Sequence, residues 1–173
     1  MSFAVWLTGL SGSGKSAIAR ELLARLQARG LEPAVLESDV LRTQLTPRPA
    51  YSFRERDFFY GALAQLGAWI AAEGRPVLFD ATANRRAYRD AARAKIARFA
   101  EVFVDTPMDV CAARDVKGLY RAAREGKSAT LPGAQAAYEP PLTPELVLHG
   151  DRGTPADAAD AVMAWLDARG WLG

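Results

Sequence analysis

Cysteine and histidine are nearly absent, with one of each in 173 residues. The lone Cys111 cannot form an internal disulfide, and so small a set of soft ligands holds no structural zinc. Long apolar runs are missing too. The longest uncharged stretch, Phe58 to Ala72, is 15 residues long and contains Gln65, short of the roughly 20 that span a bilayer. The apolar start has no preceding basic residue and runs straight into a Gly/Ser loop, so it does not read as a signal peptide. The expectation is a soluble cytoplasmic protein with no membrane partner.

Charge of one sign is also scarce. The net charge of +2 is too small to draw nucleic acid by bulk attraction. Arginine outnumbers lysine 18 to 4; codon bias in a GC-rich genome accounts for that, and guanidinium forks also suit phosphate and sulfate oxyanions. Half the residues are hydrophobic and 24% charged, which excludes a largely disordered chain. At roughly 150 residues per domain, the length fits one domain over 1–173.

Short apolar runs alternate with amphipathic stretches of helical length. Strands are expected at Phe3–Leu7, Pro33–Leu36, Pro76–Phe79, Val102–Val104 and Leu146–Leu148. Helices are expected at Lys15–Ala28, Phe53–Ala72, Arg85–Ala97 and Pro107–Arg114. A last helix follows Thr154 as N-cap, with Pro155 in its first turn and Gly170 beyond its end. This alternation predicts a three-layer α/β fold: a parallel sheet of about five strands covered on both faces. Ligands in such sheets bind beyond the carboxyl ends of the strands.

The first strand leads into GLSGSGKS, residues 9–16, which satisfies G-x-x-x-x-G-K-[ST] between a strand and a helix. Gly9, Gly12 and Gly14 let the backbone turn tightly, and with Ser11 and Ser13 bring N–H groups to phosphate oxygens. The helix that begins there adds its unpaired N–H groups and positive dipole end. Lys15 places a charge on the β- and γ-phosphates, and the Ser16 hydroxyl can ligate Mg²⁺. ATP and Mg²⁺ are the expected cofactors.

After the second strand, Asp39 and Arg42 stand three apart at a helix start. Asp39 could accept the acceptor's proton or hold Mg²⁺, and Arg42 could clamp an anionic acceptor. The third strand ends on Asp80, a further Mg²⁺-side carboxylate. Arg85, Arg89 and Arg93 follow at helical spacing and read as a solvated face. Residues 114–141 have the character of a lid, with cations at Arg114 and Lys117 and glycines at Gly118, Gly126 and Gly133. Closure of such a lid would exclude water and favour transfer over hydrolysis.

Over nearly the whole chain to about residue 150, these residues resemble the adenylylsulfate kinase family. GLSGSGKS is written as that family writes it, and Leu36–Arg42 resembles its L-D-G-D-x-x-R. Tyr51-Ser52 with Glu55-Arg56 resembles F-S-x-x-D-R. The most specific stretch, residues 101–126, is similar to the family's strand, D-T-P helix start and R-D-x-K-G-L-Y lid. Tyr138-Glu139-Pro140-Pro141 is similar to its Y-E-x-P.

The resemblance implies transfer of the ATP γ-phosphoryl to the 3′-hydroxyl of adenylyl sulfate, giving PAPS for sulfate assimilation. Position by position it implies Lys15 and Asp39 as catalytic, and Arg114 beside the nucleotide. Arg42, Tyr51, Arg56, Lys117, Gly118 and Leu119 would hold the acceptor, within a lid of about 115–141. It also implies a homodimer as the common assembly.

Departures fall on the acceptor half. Phe59 replaces the family's Asn, and Leu131-Pro132-Gly133 replaces F-T-G, whose Phe stacks on the acceptor adenine. S-P-Y-R becomes Ala83-Asn84-Arg85-Arg86, which keeps the arginine, so Arg86 counts among the acceptor residues. Two alternatives therefore stand beside adenylyl sulfate: a related kinase acting on another small hydroxyl compound, and a non-catalytic nucleotide-binding regulator.

Overall fold

The computed structural model describes residues 2–128 and 130–173. Ala129, inside the expected lid, and Met1 lie outside the described residues. The chain runs β1 (Ala4–Thr8), α1 (Lys15–Ala28), β2 (Ala34–Glu37), α2 (Ser38–Leu45), α3 (Phe53–Ala72), β3 (Val77–Asp80) and α4 (Arg86–Arg93). It continues through β4 (Phe99–Asp105), α5 (Met108–Arg114), α6 (Leu119–Arg124), β5 (Leu146–His149) and α7 (Pro155–Ala168).

The five strands form one sheet in the order β2-β3-β1-β4-β5, with every pairing parallel. Central β1 alternates its side chains between two cores, as the pleat requires. Phe3, Val5 and Leu7 face α1 and α7 through Ile18, Leu22, Leu26, Val162 and Leu166. Ala4 and Trp6 face α3 and α4 through Phe59, Leu63, Tyr88 and Ala92. Helix, sheet, helix is the expected three-layer α/β plan. The three central strands are buried on both faces, so β1 and β3 read as apolar runs, whereas the edge strands β2 and β5 are partly exposed. β1 lies between β3 and β4, and the carboxyl ends of these three strands define the crevice where such sheets take ligands.

The expected elements recur with small shifts. α4 stops at Arg93, short of Ala97, and β4 starts at Phe99. α2 follows β2 without a break and carries Asp39 and Arg42 at the helix start expected there. One short helix was not expected as an element: α6 forms inside the expected lid after Gly118, which takes up φ +66 as its N-cap. The arginines read as a solvated face are a correction. Arg89 is fully buried and Arg93 sits in an ion-pair network with Glu101 and Glu145.

α3 packs on β3 so closely at Gly67 that an added methyl would run into the Phe79 ring, which itself stacks on Trp6 at 4.3 Å. Gly67→Ala should therefore cost about 1–3 kcal/mol by overpacking. Gly61→Ala, on the same helix with open space around it, should be neutral or stabilise by about 0.5–1 kcal/mol. Urea midpoints of the two variants check this; a destabilised Gly61→Ala or an unaffected Gly67→Ala would contradict the packing.

Candidate active site

β1 ends at Thr8 and the chain turns at once into α1. At Gly9 (φ +151) a Cβ would sit 2.5 Å from the Val104 carbonyl oxygen, and at Gly12 (φ +78) 2.9 Å from that of Cys111. The loop is thus pressed against β4 and α5 with no room for side chains at those positions. Ser13 is fully buried, and its carbonyl accepts the Thr106 hydroxyl at 2.9 Å. Gly9 and Ser13 shape the loop from behind; neither lines the cavity that opens above it.

That cavity is about 510 Å³. Ser11, Gly12, Gly14, Lys15 and Ser16 form one wall, at the helix end whose first N–H groups lack intrahelical partners. Lys15 is buried, and its Nζ donates to the carbonyls of Gly9 (3.0 Å) and Leu10 (2.8 Å). Burial pushes its pKa down to about 8. Asp80 pulls it partly back up, and Lys117 depresses it further. Arg114 braces the same loop, donating to Gly12 O at 3.2 Å and to Gly150 O at 2.7 Å, and it too lines the cavity.

The opposite wall carries the expected acceptor residues. The Arg42 guanidinium is buried 4.0 Å above the Phe59 ring and 5.1 Å from Tyr51, with Glu55 at 3.6 Å. Arg56 is buried beside it, donating to the Thr130 carbonyl at 2.5 Å, with its charge 5.9 Å from the Tyr51 ring. Tyr51 itself holds φ +53, a left-handed conformation uncommon for a residue with a side chain. Phe59 is therefore the floor beneath Arg42 and not an exposed acceptor contact. A flat ring under a guanidinium is an attractive cation–π arrangement.

Residues of the expected lid line the remaining side. Lys117 ion-pairs with Asp39 across the cavity, and Leu119 lines it. Tyr120 donates its hydroxyl proton to the Ser11 carbonyl at 2.8 Å. Leu131 packs with Tyr120 and Cys111 and lines the cavity from the position where the resembled family carries Phe. Gly118 caps α6 and does not line the cavity. Arg86 is held elsewhere: its Nη1 donates to Pro140 O at 3.1 Å and its backbone N–H to Glu139 Oε2 at 2.9 Å.

Some lining residues were not singled out from sequence. Arg20 stands four residues after Ser16 on α1, the spacing that puts both on one helix face, and that signal could have found it. Tyr60 and Thr82 reach the cavity only through the tertiary fold.

Ser16, Asp39 and Asp80 all line the cavity. Among the described residues, no cluster of three or more His, Cys, Asp or Glu could hold a metal by itself. Mg²⁺ is ordinarily held by one or two carboxylates, waters and substrate phosphates. A hydroxyl and two carboxylates around a phosphate loop fit that pattern.

A strand, a glycine loop pressed against β4 and α5, a buried lysine and a helix N-terminus define a P-loop nucleotide-binding site. The comparisons narrow it. The family model for adenylylsulphate kinase matches residues 1–149. An adenylyl-sulfate kinase of Microcystis aeruginosa is 39% identical over 168 residues, covering 97% of this chain and 93% of its own. The Mycobacterium tuberculosis APS kinase CysC, solved in complex with AMPPNP and APS, superposes with a TM-score of 0.90 at 35% identity, covering 96% of this chain and 98% of that one. A hexameric APS kinase from Thiobacillus denitrificans matches with a TM-score of 0.74 at 25% identity, over 100% of this chain and 30% of its own. The chain belongs to the adenylylsulphate kinase family.

The depressed Lys15 pKa has a measurable consequence. Burial favours the neutral amine, whereas a polyphosphate beside it favours the ammonium and raises its pKa again. Binding of ATP should therefore take up a proton just above pH 8, and affinity should fall as pH rises further. Calorimetry in two buffers of different ionisation enthalpy reads that uptake. Lys15→Arg, charged throughout, should show none; equal heats in both buffers for the unaltered protein would contradict a buried, titrating lysine.

Proposed function

We propose that the chain transfers the γ-phosphoryl of ATP to the 3′-hydroxyl of adenylyl sulfate, giving ADP and 3′-phosphoadenylyl sulfate. The observation that carries this reading is one cavity with two chemically distinct walls. The phosphate loop with Lys15 forms one, and two buried guanidiniums beside an aromatic ring, Arg42, Arg56 and Tyr51, form the other. A second anionic nucleotide offers matching groups: charge for the arginines and a base for the ring. Leu131 supplies an aliphatic surface for that base where the family's pattern has Phe.

The chemistry is mostly positioning and charge stabilisation. Lys15 and the N–H groups of residues 11–16 hold the β- and γ-phosphates. The acceptor's 3′-oxygen attacks the γ-phosphorus as the bond to the β,γ-bridging oxygen breaks, and Asp39 receives the proton released. Mg²⁺, when bound, neutralises phosphate charge, with Ser16 and Asp80 as its protein-side groups. Lys117, which pairs with Asp39, is placed to meet the acceptor's anionic groups. Gly118 lets the chain turn between Lys117 and Leu119 as the lid covers the site and keeps water out. The cytoplasm, where ATP is held, is the compartment this reading expects. No helix among the described residues is long and apolar enough to cross a membrane.

The test incubates the protein with γ-labelled ATP and adenylyl sulfate, with sugars and nucleosides as competing acceptors. Label should appear in 3′-phosphoadenylyl sulfate and in no other acceptor. Asp39→Asn should lower turnover by roughly 10²–10⁴-fold, the range of a lost general base, with ATP affinity near that of the unaltered protein. Label in a sugar or nucleoside instead, or unchanged turnover in Asp39→Asn, would overturn the acceptor or the role of Asp39.

A further inference from the structure

Outside the cavity, the most elaborate polar construction in the molecule surrounds Arg89, which is 0% exposed. Its three guanidinium nitrogens reach three different segments. Nε donates to Glu101 Oε1 on β4 at 2.5 Å, Nη1 to the Ala83 carbonyl just past β3 at 2.5 Å, and Nη2 to the Glu139 carbonyl at the lid's end at 2.7 Å. We propose that Arg89 is a positioning residue for the phosphoryl transfer, fixing the root of the lid to the acceptor-side wall of the cavity. The inference rests on the function proposed above.

Both carbonyls that Arg89 holds belong to segments that reach the site. Ala83 adopts φ +42, a conformation disfavoured for a residue with a Cβ. It is clamped from two sides: its N–H donates to the Tyr60 hydroxyl at 3.2 Å, and its carbonyl accepts from Arg89. Tyr60, Thr82 and Asp80, all on the cavity wall, thus depend on where Ala83 is held. On the lid side, the Glu139 N–H donates to Asn84 O at 2.7 Å and Asn84 Nδ2 to Ala137 O at 2.9 Å. Tyr138 meets the Thr8 hydroxyl at 3.0 Å, and Thr8 is the last residue of β1 before the phosphate loop. The fork thus joins the lid root to the acceptor wall, and Tyr138, next to the Glu139 it holds, joins the lid root to the strand that leads into the phosphate loop.

Packing alone does not call for an arginine here. A buried ion pair such as Arg89–Glu101 can often be replaced by apolar side chains with no loss of stability. What apolar residues cannot do is hold two separate backbone carbonyls and a carboxylate in one plane. With residues 137–140 fixed, the lid has one anchored end, and closure falls to the part that begins at residue 115. A loosened root would let the closed lid sit imperfectly. Water would then compete with the acceptor for the γ-phosphoryl, and the acceptor would bind less well, while the ATP side stays intact.

Two variants and one measurement on the unaltered protein test this. Arg89→Lys keeps the charge beside Glu101 but loses the fork; the double variant Arg89→Met/Glu101→Met removes both charges. Each should raise KM for adenylyl sulfate by roughly tenfold or more, the scale on which small misplacements act, and raise the fraction of ATP hydrolysed without transfer. KM for ATP should stay as it was. Variants that fold and keep the original acceptor KM and coupling would overturn the proposal, as would KM values for ATP and acceptor rising together.

Hydrogen exchange covers the case in which neither variant folds. In the unaltered protein, the Glu139 amide should exchange with the slow amides of β1 and β4, and the lid amides at 116–128 far faster. Equally fast exchange at both places would remove the anchor. If the unaltered protein fails to phosphorylate adenylyl sulfate while Glu139 stays protected, the functional reading fails and the anchor stands.

Discussion

The site is organised around a positive charge that the fold has taken out of water. Lys15 is buried at the turn between β1 and α1, and its ammonium donates to two carbonyls of its own loop. Desolvating an ammonium is costly, and here the cost appears as a pKa held near 8. A polyphosphate entering the cavity adds counter-charge to that of Asp80, so binding offsets the desolvation that folding imposes. Gly9 and Gly12 admit the close approach to Val104 and Cys111 that keeps the loop in place. The central position of β1 puts the loop between the sheet's two cores.

The acceptor half follows a related logic with different means. Arg42 and Arg56 are buried cations facing a cavity, steadied by aromatic rings and a few carbonyl or carboxylate oxygens. Phe59, seen in sequence only as the loss of an amide that family members carry, has a structural reason for its place. It lies face-on beneath the Arg42 guanidinium, where an asparagine would offer no ring. The departure replaces a polar support by an aromatic one and leaves the cation where it is needed.

Most of the donor half was legible in the sequence because it is local. A strand, six loop residues and a helix lie consecutively, and α1 runs over the very span its apolar periodicity predicts, as α3 does on the acceptor side. The lid was harder. Its glycines and charges hide the six-residue α6, too short for periodicity to mark. The arginines of α4 misled for a related reason. Charges three or four apart look like a solvated face until the partners are known, and the partners of Arg89 lie at Ala83, Glu101 and Glu139, brought together only by the parallel sheet and the returning lid. Arg86, counted with the acceptor by analogy, is occupied by Glu139 and Pro140 instead.

The account's central claim is that two anionic nucleotides share one cavity with their reacting atoms facing each other. A crystal structure with a non-hydrolysable ATP analogue and adenylyl sulfate bound together tests it most directly. The account predicts the acceptor's ring against Tyr51, its anionic groups at Arg42 and Arg56, and its 3′-oxygen about 3–3.5 Å from the γ-phosphorus, in line with the bond that breaks. An acceptor bound outside the cavity, or inside it with the 3′-oxygen turned away from the phosphate loop, would contradict it.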